Sequence, residues 1–270
     1  MPDSLHFIDS HCHVDFPEFD ADRDALLQRA RALGVSKIIV PGVEPLQWPA
    51  IQQLSTRVEG VYWSAGLHPW WLERWLEKSL PSIRAEFTQQ LDQCLSDTRC
   101  VAVGECGLDA GISMPMEQQI SWLMCQLEVA KQHHKPVILH CYKAHNALLE
   151  CLRKVAGAGG GLQGGVLHGF SGSHELAQNY WRMNIALGVG GTITYPRANK
   201  TRQTVAALPR EALVLETDAP SMPLMGAQGQ RNSPESVPTI AACLAQLRGE
   251  TLAEVAAYTS ANAVRIFNLL

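Results

Sequence analysis

The sequence lacks two features that would assign it to large classes of protein: a long apolar run and an excess of positive charge. No stretch approaches the roughly 18 apolar residues that a membrane-spanning helix needs. The 22 Lys and Arg residues are outnumbered by 26 Asp and Glu residues, which gives a formal net charge of -4. Tight binding to long duplex nucleic acid through a broad basic surface is therefore not expected, although a small site could still grip one or two phosphates through a metal ion.

Signals for disulfides and for export are missing as well. The eight cysteines are irregularly spaced and include no Cys-x-x-Cys pair, so they predict reduced thiols and not a disulfide framework. Near the N-terminus, Pro2, Asp3 and His6 interrupt any basic and apolar leader. We therefore expect a cytoplasmic protein without a membrane segment.

The sequence does contain a regular alternation of apolar runs and helical patterns. The runs that predict buried strands are residues 5–8, 35–40, 60–65, 100–103, 136–139, 165–167, 185–189 and 212–215. The helical patterns are residues 22–33, 45–58, 80–95, 116–134, 144–156, 173–183, 201–208, 236–248 and 252–267. This alternation predicts an α/β fold with a parallel sheet, most naturally a TIM-type (β/α)8 barrel, with a doubly wound open sheet as the alternative. The length of 270 residues, 46% of them hydrophobic, suits one domain over residues 1–270, with a flexible glycine-rich connector at 157–165.

The first predicted strand leads into Asp9-Ser10-His11-Cys12-His13. His11 and His13 point the same way because strand side chains repeat every two residues. Two imidazoles so placed can hold one metal ion, with a carboxylate from elsewhere completing the ligand set. The motif is short, and a chance His-x-His pair with no ligand role is the alternative.

Four more metal-competent side chains fall directly after predicted strands. They are Glu105, His140, His168 and Asp218, which follow the fourth, fifth, sixth and eighth strands. The carboxyl ends of barrel strands converge on one face, where catalytic groups collect. Each residue alone could be a helix cap or a buried, hydrogen-bonded histidine, but independent structural roles would not place all of them after strands. The pattern predicts a shared metal site.

Five motifs occur in order along nearly the whole chain: residues 8–13 (IDSHCH), 104–109 (GECGLD), 139–140 (LH), 168–172 (HGFSG) and 215–220 (LETDAP). Together they resemble the TatD family of metal-dependent deoxyribonucleases, in the amidohydrolase superfamily. Residues 188–197 (GVGGTITYPR) and the 228–230 loop (QGQ) further resemble the YjjV-like branch of that family. The resemblance departs at Tyr142 and Lys143, where many members have Arg followed by an acid.

The resemblance implies a barrel enzyme with divalent metal ions, two per chain, for which zinc, manganese and magnesium are the candidates. The ligands it implies are His11, His13 and Asp218 for one ion, His140 and His168 for the second, and Glu105 as a bridge. Two such ions can activate a water and stabilise both oxygens of an in-line displacement. Asp218 is then the candidate to orient that water and move its proton, so Asp218 and Glu105 are the predicted catalytic residues.

We therefore expect a metal-dependent hydrolase that acts on ester bonds, with a deoxyribonuclease acting on single-stranded DNA ends as the leading hypothesis. One alternative is a hydrolase of small amides, lactones or phosphoesters at the same metal site. Another is a non-catalytic barrel that binds metal or a partner. We expect a monomer in each case.

Two residues near the predicted site are expected to contact substrate. His68 follows the third strand, and Lys143 could replace part of the charge of the missing Arg, although only as a point contact. Trp70, Trp71 and Trp75 follow His68 in sequence. They could stack on bases or sugars, or they could pack the loop as ordinary core aromatics.

Overall fold

The computed structural model describes residues 5–76, 80–157 and 161–269. Within these ranges the strands are β1 (Phe7–Asp9), β2 (Val35–Pro41), β3 (Val61–Ala65), β4 (Cys100–Asp109), β5 (Val137–Tyr142), β6 (Gly165–Leu167), β7 (Ile185–Val189) and β8 (Leu213–Leu215). They belong to one sheet whose hydrogen-bonded neighbours follow the sequence order β1 to β8. Residues 158–160 of the predicted glycine-rich connector lie outside the described residues.

Helices alternate with the strands, as predicted. They are α1 (Arg23–Ala32), α2 (Trp48–Arg57), α3 (Glu73–Leu76), α4 (Leu80–Leu95), α5 (Met116–Gln132), α6 (His145–Gly157), α7 (His174–Trp181), α8 (Asn199–Ala207), α9 (Val237–Arg248) and α10 (Leu252–Phe267). Among the described α-helices, only the one-turn helix α3 was not predicted, because four residues are too few to show a helical period. Among the described helices, none is long and apolar enough to cross a membrane.

Strands β4 and β5 run at least three residues past their predicted ends, whereas β1 and β2 end one residue later than predicted. The polar side chains of Glu105 and Asp109 interrupt the apolar run of β4, so the predicted strand ended at Val103. In the structure the register shifts beyond Val103, and pairing with β5 then continues until Asp109 lies opposite Tyr142. Glu105 and His140 therefore lie within strands and not after them, which corrects the predicted boundaries.

The chain divides into two compact units, of which the first comprises residues 1–40 and 168–270. Within it β7 pairs with β8 and β1 pairs with β2, both in parallel. The Ser10 amide donates to the Leu215 carbonyl at 2.9 Å, so the end of β8 lies beside the end of β1. Helix α10 begins with a capping box in which Thr251 and Glu254 satisfy each other's backbone amides.

The second unit comprises residues 41–167, and its strands β3 to β6 pair in parallel in that order. Aromatic side chains from four helices pack together in this unit. Phe87 lies 5.5 Å from Trp122, 5.8 Å from Trp48 and 6.0 Å from Trp75, measured between ring centroids. Such pairs are worth about 0.5–1.5 kcal/mol each beyond their buried area. They join α2, α3, α4 and α5, and the prediction of one domain over residues 1–270 stays a prediction.

Candidate metal centre

The first unit brings together four predicted ligands, His11, His13, His168 and Asp218, here called the aspartate cluster. The Nε2 atoms of His11 and His13 are 3.2 Å apart. Asp218 Oδ1 lies 3.5 Å from the first of these nitrogens and 3.6 Å from the second. The His168 ring stacks on the His11 ring with 4.0 Å between centroids. Ligand atoms of His11, His168 and Asp218 all lie within 4.8 Å of one another.

Hydrogen bonds hold the loop after β1 against the loop after β8. The Asp218 amide donates to the His11 carbonyl at 2.8 Å. Asp9 accepts from the Thr217 amide at 3.0 Å and from the Thr217 hydroxyl at 2.6 Å. Asp218 itself has a φ of 53°, which is unfavourable for a residue other than glycine and needs support from its surroundings. These bonds supply that support and fix the Asp218 carboxylate beside the two imidazoles.

Two fully buried carboxyl groups, Asp9 and Glu216, adjoin the ligands of this cluster. Burial raises the pKa of Asp9 to about 7, and the hydrogen bonds from Thr217 only partly oppose it. Burial likewise raises the pKa of Glu216 to about 8, against the opposing effects of His168 and of the Gly169 amide. Protonated forms of both groups are therefore populated near neutral pH in the protein without metal.

Glu216 also fixes the backbone next to His168. Its Oε1 accepts from the Gly169 amide at 2.5 Å. The carboxyl group fits because Gly188 has no side chain, and a Cβ at that position would overlap it. Replacing Gly188 by alanine would therefore displace Glu216 and with it the support of His168.

The second unit holds the other predicted ligands, Glu105 and His140, together with His68, and these three are here called the glutamate cluster. Glu105 Oε1 lies 3.3 Å from His68 Nε2 and 3.4 Å from His140 Nδ1. All three ligand atoms lie within 4.8 Å of one another. Strands β4 and β5 can approach closely here because Gly107 has no side chain. A Cβ at that position would overlap the His140 carbonyl.

Asp109 orients the His140 ring. Its Oδ2 lies 3.3 Å from His140 Nε2 and accepts from Trp70 Nε1 at 2.6 Å, while its Oδ1 accepts from the Gly111 amide at 2.6 Å. Burial acts to raise the pKa of Asp109, but these hydrogen bonds outweigh it and lower the pKa to about 2. A carboxylate on one ring nitrogen fixes the other as a metal ligand. Here that other nitrogen, Nδ1, faces Glu105.

The donor sets of both clusters fit a divalent metal ion. Bonds of about 2.1 Å in a tetrahedral arrangement place neighbouring ligand atoms about 3.4 Å apart. The separations are 3.2 to 3.6 Å in the aspartate cluster and 3.3 to 3.4 Å in the glutamate cluster. Imidazole nitrogens combined with carboxylate oxygens suit zinc and manganese.

Within each unit, the ligands predicted from that part of the sequence thus lie close together. His168 lies near His11 and Asp218 in the first unit, and its implied place on the second ion with His140 stays a prediction. His68, predicted as a substrate contact, lies beside Glu105 as a further candidate ligand. The division of ligands between two ions and the bridging role of Glu105 stay predictions.

Sequence reasoning missed the supporting acids Asp9, Asp109 and Glu216. Each belongs to the same motif as a predicted ligand: Asp9 comes two residues before His11, and Glu216 comes two residues before Asp218. Two residues along a strand end share one face, so an acid at that spacing was a usable signal. Asp109, four residues after Glu105, was also within a quoted motif but carried no assigned role.

The three tryptophans after His68 do not share one role. Trp75 belongs to the aromatic packing of the second unit. Trp70 is 60% exposed, and its ring lies 6.3 Å from the His140 ring.

The Nζ of Lys143 lies 5.0 Å from the centre of the Tyr142 ring. Contact of Lys143 with a substrate stays a prediction.

Known proteins resemble this chain over almost its full length. The profile of the family described as TatD related DNase matches residues 8–268. An Escherichia coli K12 protein named uncharacterized metal-dependent hydrolase YjjV is 43% identical over 266 residues, which cover 97% of this chain and 98% of that protein. A Cronobacter sakazakii protein named 3'-5' ssDNA/RNA exonuclease TatD is 34% identical over 262 residues, which cover 94% and 95% of the two chains.

A solved structure supports the fold assignment. The crystal structure of YjjV, a TatD homologue from Escherichia coli K12, matches with a TM-score of 0.88 and 43% identity, covering 98% of each chain. Eight parallel strands in sequence order together with this match confirm the predicted α/β fold of the TIM-barrel type. The doubly wound alternative is thereby set aside.

Proposed function

This chain belongs to the TatD related DNase family and is a metal-dependent hydrolase, and on that premise we propose that it hydrolyses phosphodiester bonds at the ends of single-stranded nucleic acid. The observation that carries the proposal is the pair of clusters, each with imidazole nitrogens and a carboxylate oxygen at ligand-to-ligand spacing. The relative named 3'-5' ssDNA/RNA exonuclease TatD supports the choice of substrate.

We assign the metal ligands as follows. His11, His13 and Asp218 hold one ion, and Glu105 and His140 hold a second, with His68 as an additional ligand of that ion. The family resemblance adds His168 to the second ion and gives Glu105 a bridging role, and we keep both as parts of the proposal. When bound, two such ions would supply hydroxide near neutral pH and neutralise charge on the phosphate.

Asp218 and Glu105 carry different parts of the chemistry in this proposal. The side chain of Asp218 is 15% exposed, so its carboxylate can meet substrate and water. Asp218 orients the attacking water, accepts its proton and returns that proton to the leaving oxygen. The side chain of Glu105 is 3% exposed and lies between two imidazoles, so it serves as a ligand and not as a free base.

Several finer points stay predictions. The candidates for the ions are zinc, manganese and magnesium, because the same donor set accepts more than one metal. The protein is predicted to be a cytoplasmic monomer. Hydrolysis of small phosphoesters, amides or lactones at the same site is the alternative that the experiment must separate.

The proposal is tested by digestion of a 3'-end-labelled single-stranded oligonucleotide. The protein is first stripped with a chelator and then reloaded with magnesium, manganese or zinc, and a blunt duplex of the same sequence serves as the matched substrate control. We expect the label to be released from the single strand only after reloading. An oligonucleotide that stays whole with every metal would contradict the proposal, and turnover of p-nitrophenyl esters in the same preparations would then identify a small-molecule hydrolase.

A further inference from the structure

Trp70 is an exposed side chain that is nevertheless held in place. The residue is 60% exposed, but its Nε1 donates to Asp109 Oδ2 at 2.6 Å and its backbone amide donates to His68 Nδ1 at 3.1 Å. The Trp71 ring lies alongside it with centroids 6.1 Å apart and an interplanar angle of 24°. The indole N–H is therefore hydrogen-bonded within the protein, although the residue as a whole is largely exposed to solvent.

A second exposed aromatic side chain and a cation lie at the same carboxylate. Tyr142 is 46% exposed, and a Cβ built on Gly111 would lie 2.9 Å from Tyr142 Cε1 and 3.0 Å from Asp109 Oδ1. Gly111 thus leaves room for the Tyr142 ring next to Asp109. The Nζ of Lys143 lies 5.0 Å from the centre of the Tyr142 ring. Exposed aromatic surface and positive charge therefore adjoin the carboxylate that orients the candidate ligand His140.

We propose that Trp70 is a stacking subsite for a nucleobase of the substrate, and that Lys143 contacts a phosphate next to that base. Aromatic side chains that present a ring face bind the faces of unpaired bases without regard to sequence. A base inside a duplex is already stacked on its neighbours, so the subsite favours single strands. The inference rests on the proposed function and adds to it a residue that determines the class of substrate.

The position of Trp70 favours a contact with substrate in addition to its hydrogen bond to Asp109. A residue that served only to orient Asp109 would need the indole N–H group, but it would not need an exposed ring. The Trp70 ring lies 6.3 Å from the His140 ring at an interplanar angle of 69°. A base stacked on Trp70 therefore belongs to a nucleotide close to the bond that is cut.

The test compares binding of two oligonucleotides that differ only in their bases. Both are 5'-fluorescein-labelled, phosphorothioate-linked single strands that resist cleavage, and one has abasic residues at its last three 3' positions. Fluorescence anisotropy is measured with the manganese-loaded wild type, Trp70→Ala, Trp70→Phe and Leu46→Ala. Leu46 is an apolar side chain of the same unit that is 78% exposed, so its variant is the matched control.

We expect Trp70→Ala to weaken binding of the strand with bases by roughly 5- to 100-fold and to leave binding of the abasic strand unchanged within about twofold. Trp70→Phe keeps a ring and should keep most of the preference for bases, and Leu46→Ala should behave as the wild type. Metal content, measured in every variant, shows whether the His140 side of the glutamate cluster is intact.

Three outcomes would overturn the inference: equal weakening of both strands by Trp70→Ala, no effect of Trp70→Ala, or no preference of the wild type for the strand with bases. Failure of the proposed function would look different. In that case the wild type would bind the strand with bases through Trp70 but would release no label from a normal oligonucleotide with any metal.

Discussion

The aspartate and glutamate clusters present similar ligand atoms but rely on supporting carboxyl groups in opposite states. Asp9 and Glu216, beside the aspartate cluster, are fully buried and have raised pKa values of about 7 and about 8. Asp109, beside the glutamate cluster, has its pKa lowered to about 2. Glu216 Oε2 has no hydrogen-bond partner among the described residues, whereas both oxygens of Asp109 accept hydrogen bonds.

The difference teaches that the balance between burial and hydrogen bonding, and not residue type, decides whether such a carboxyl group is charged. Hydrogen bonds from Trp70, Gly111 and His140 outweigh the burial of Asp109. Asp9 also accepts three hydrogen bonds, but its complete burial outweighs them. The glutamate cluster therefore has its supporting anion in place before any ion binds. Protons held by Asp9 or Glu216 would leave the aspartate cluster as a cation binds, so its metal affinity is expected to fall more steeply at acidic pH.

The largest expected effect belongs to the aspartate cluster. Asp218→Asn keeps the shape of the side chain but removes the charge that binds metal and accepts a proton. We expect hydrolysis to fall by about 100- to 10,000-fold while the circular dichroism spectrum stays unchanged. Asp20→Asn is the control, because Asp20 is 67% exposed and pairs with Arg23 in the same unit. Turnover at the wild-type rate in Asp218→Asn would remove the proposed role.

Removal of the supporting acid Asp109 should affect the glutamate cluster alone. Asp109→Asn removes the carboxylate that fixes His140, so metal affinity of the glutamate cluster should fall by about 10- to 100-fold. Titration against a chromophoric chelator should show one weakened site and one normal site. Asp92→Asn, at a surface pair with His133, is the control in the same unit. Equal loss at both sites, or at neither, would show that Asp109 does not act through His140.

The raised pKa values predict how stability depends on pH in protein held in a chelator. A carboxyl group with a folded-state pKa above its unfolded value contributes stability at low pH and loses it as the pH rises through the folded-state value. The melting temperature should therefore fall between pH 5 and pH 8, because Asp9 and Glu216 ionise at about 7 and about 8 when folded. The fall in melting temperature between pH 5 and pH 8 should be smaller in Asp9→Asn than in the wild type, by about 2–4 °C. A melting temperature that rises over this range would contradict the assignment.

The smallest expected effect concerns Lys143. An exposed cation that contacts a phosphate contributes little, so Lys143→Ala should raise KM for an oligonucleotide by about two- to fivefold with little change in kcat. Lys154→Ala, an exposed lysine of the same unit, is the control. A fall in kcat with unchanged KM would mean that Lys143 acts on the chemistry and not on binding.

Much of the fold was predictable because local patterns are strong in this chain. Strands β6 and β7 occupy the predicted residues, 165–167 and 185–189, since each apolar run follows a turn-forming residue, Gly164 or Asn184. β4 was predicted too short because Glu105 interrupts its apolar run, although the backbone continues to pair. Functional side chains disturb the very pattern by which a strand is recognised.

The candidate ligands were found because they recur after predicted strands, but their supporting contacts were not. The bond between Asp9 and Thr217 joins residues 208 positions apart, and periodicity carries no information about such pairs. The exposure of Trp70 and the packing of Trp75 against Phe87 were equally hidden, because both tryptophans follow His68 in one aromatic stretch. Only the contacts in the folded protein distinguish a tryptophan that packs against other aromatic rings from an exposed tryptophan near the candidate metal ligands.

The most direct test is the metal content of the wild type, His13→Ala and His140→Ala after equilibration with zinc and removal of the excess. Mass spectrometry of the metal, together with the protein concentration, gives the number of ions per chain. The proposed pair of ions predicts about two ions in the wild type and about one in each variant. A single ion in the wild type, or an unchanged content in either variant, would contradict the assignment of two ions, one that needs His13 and one that needs His140.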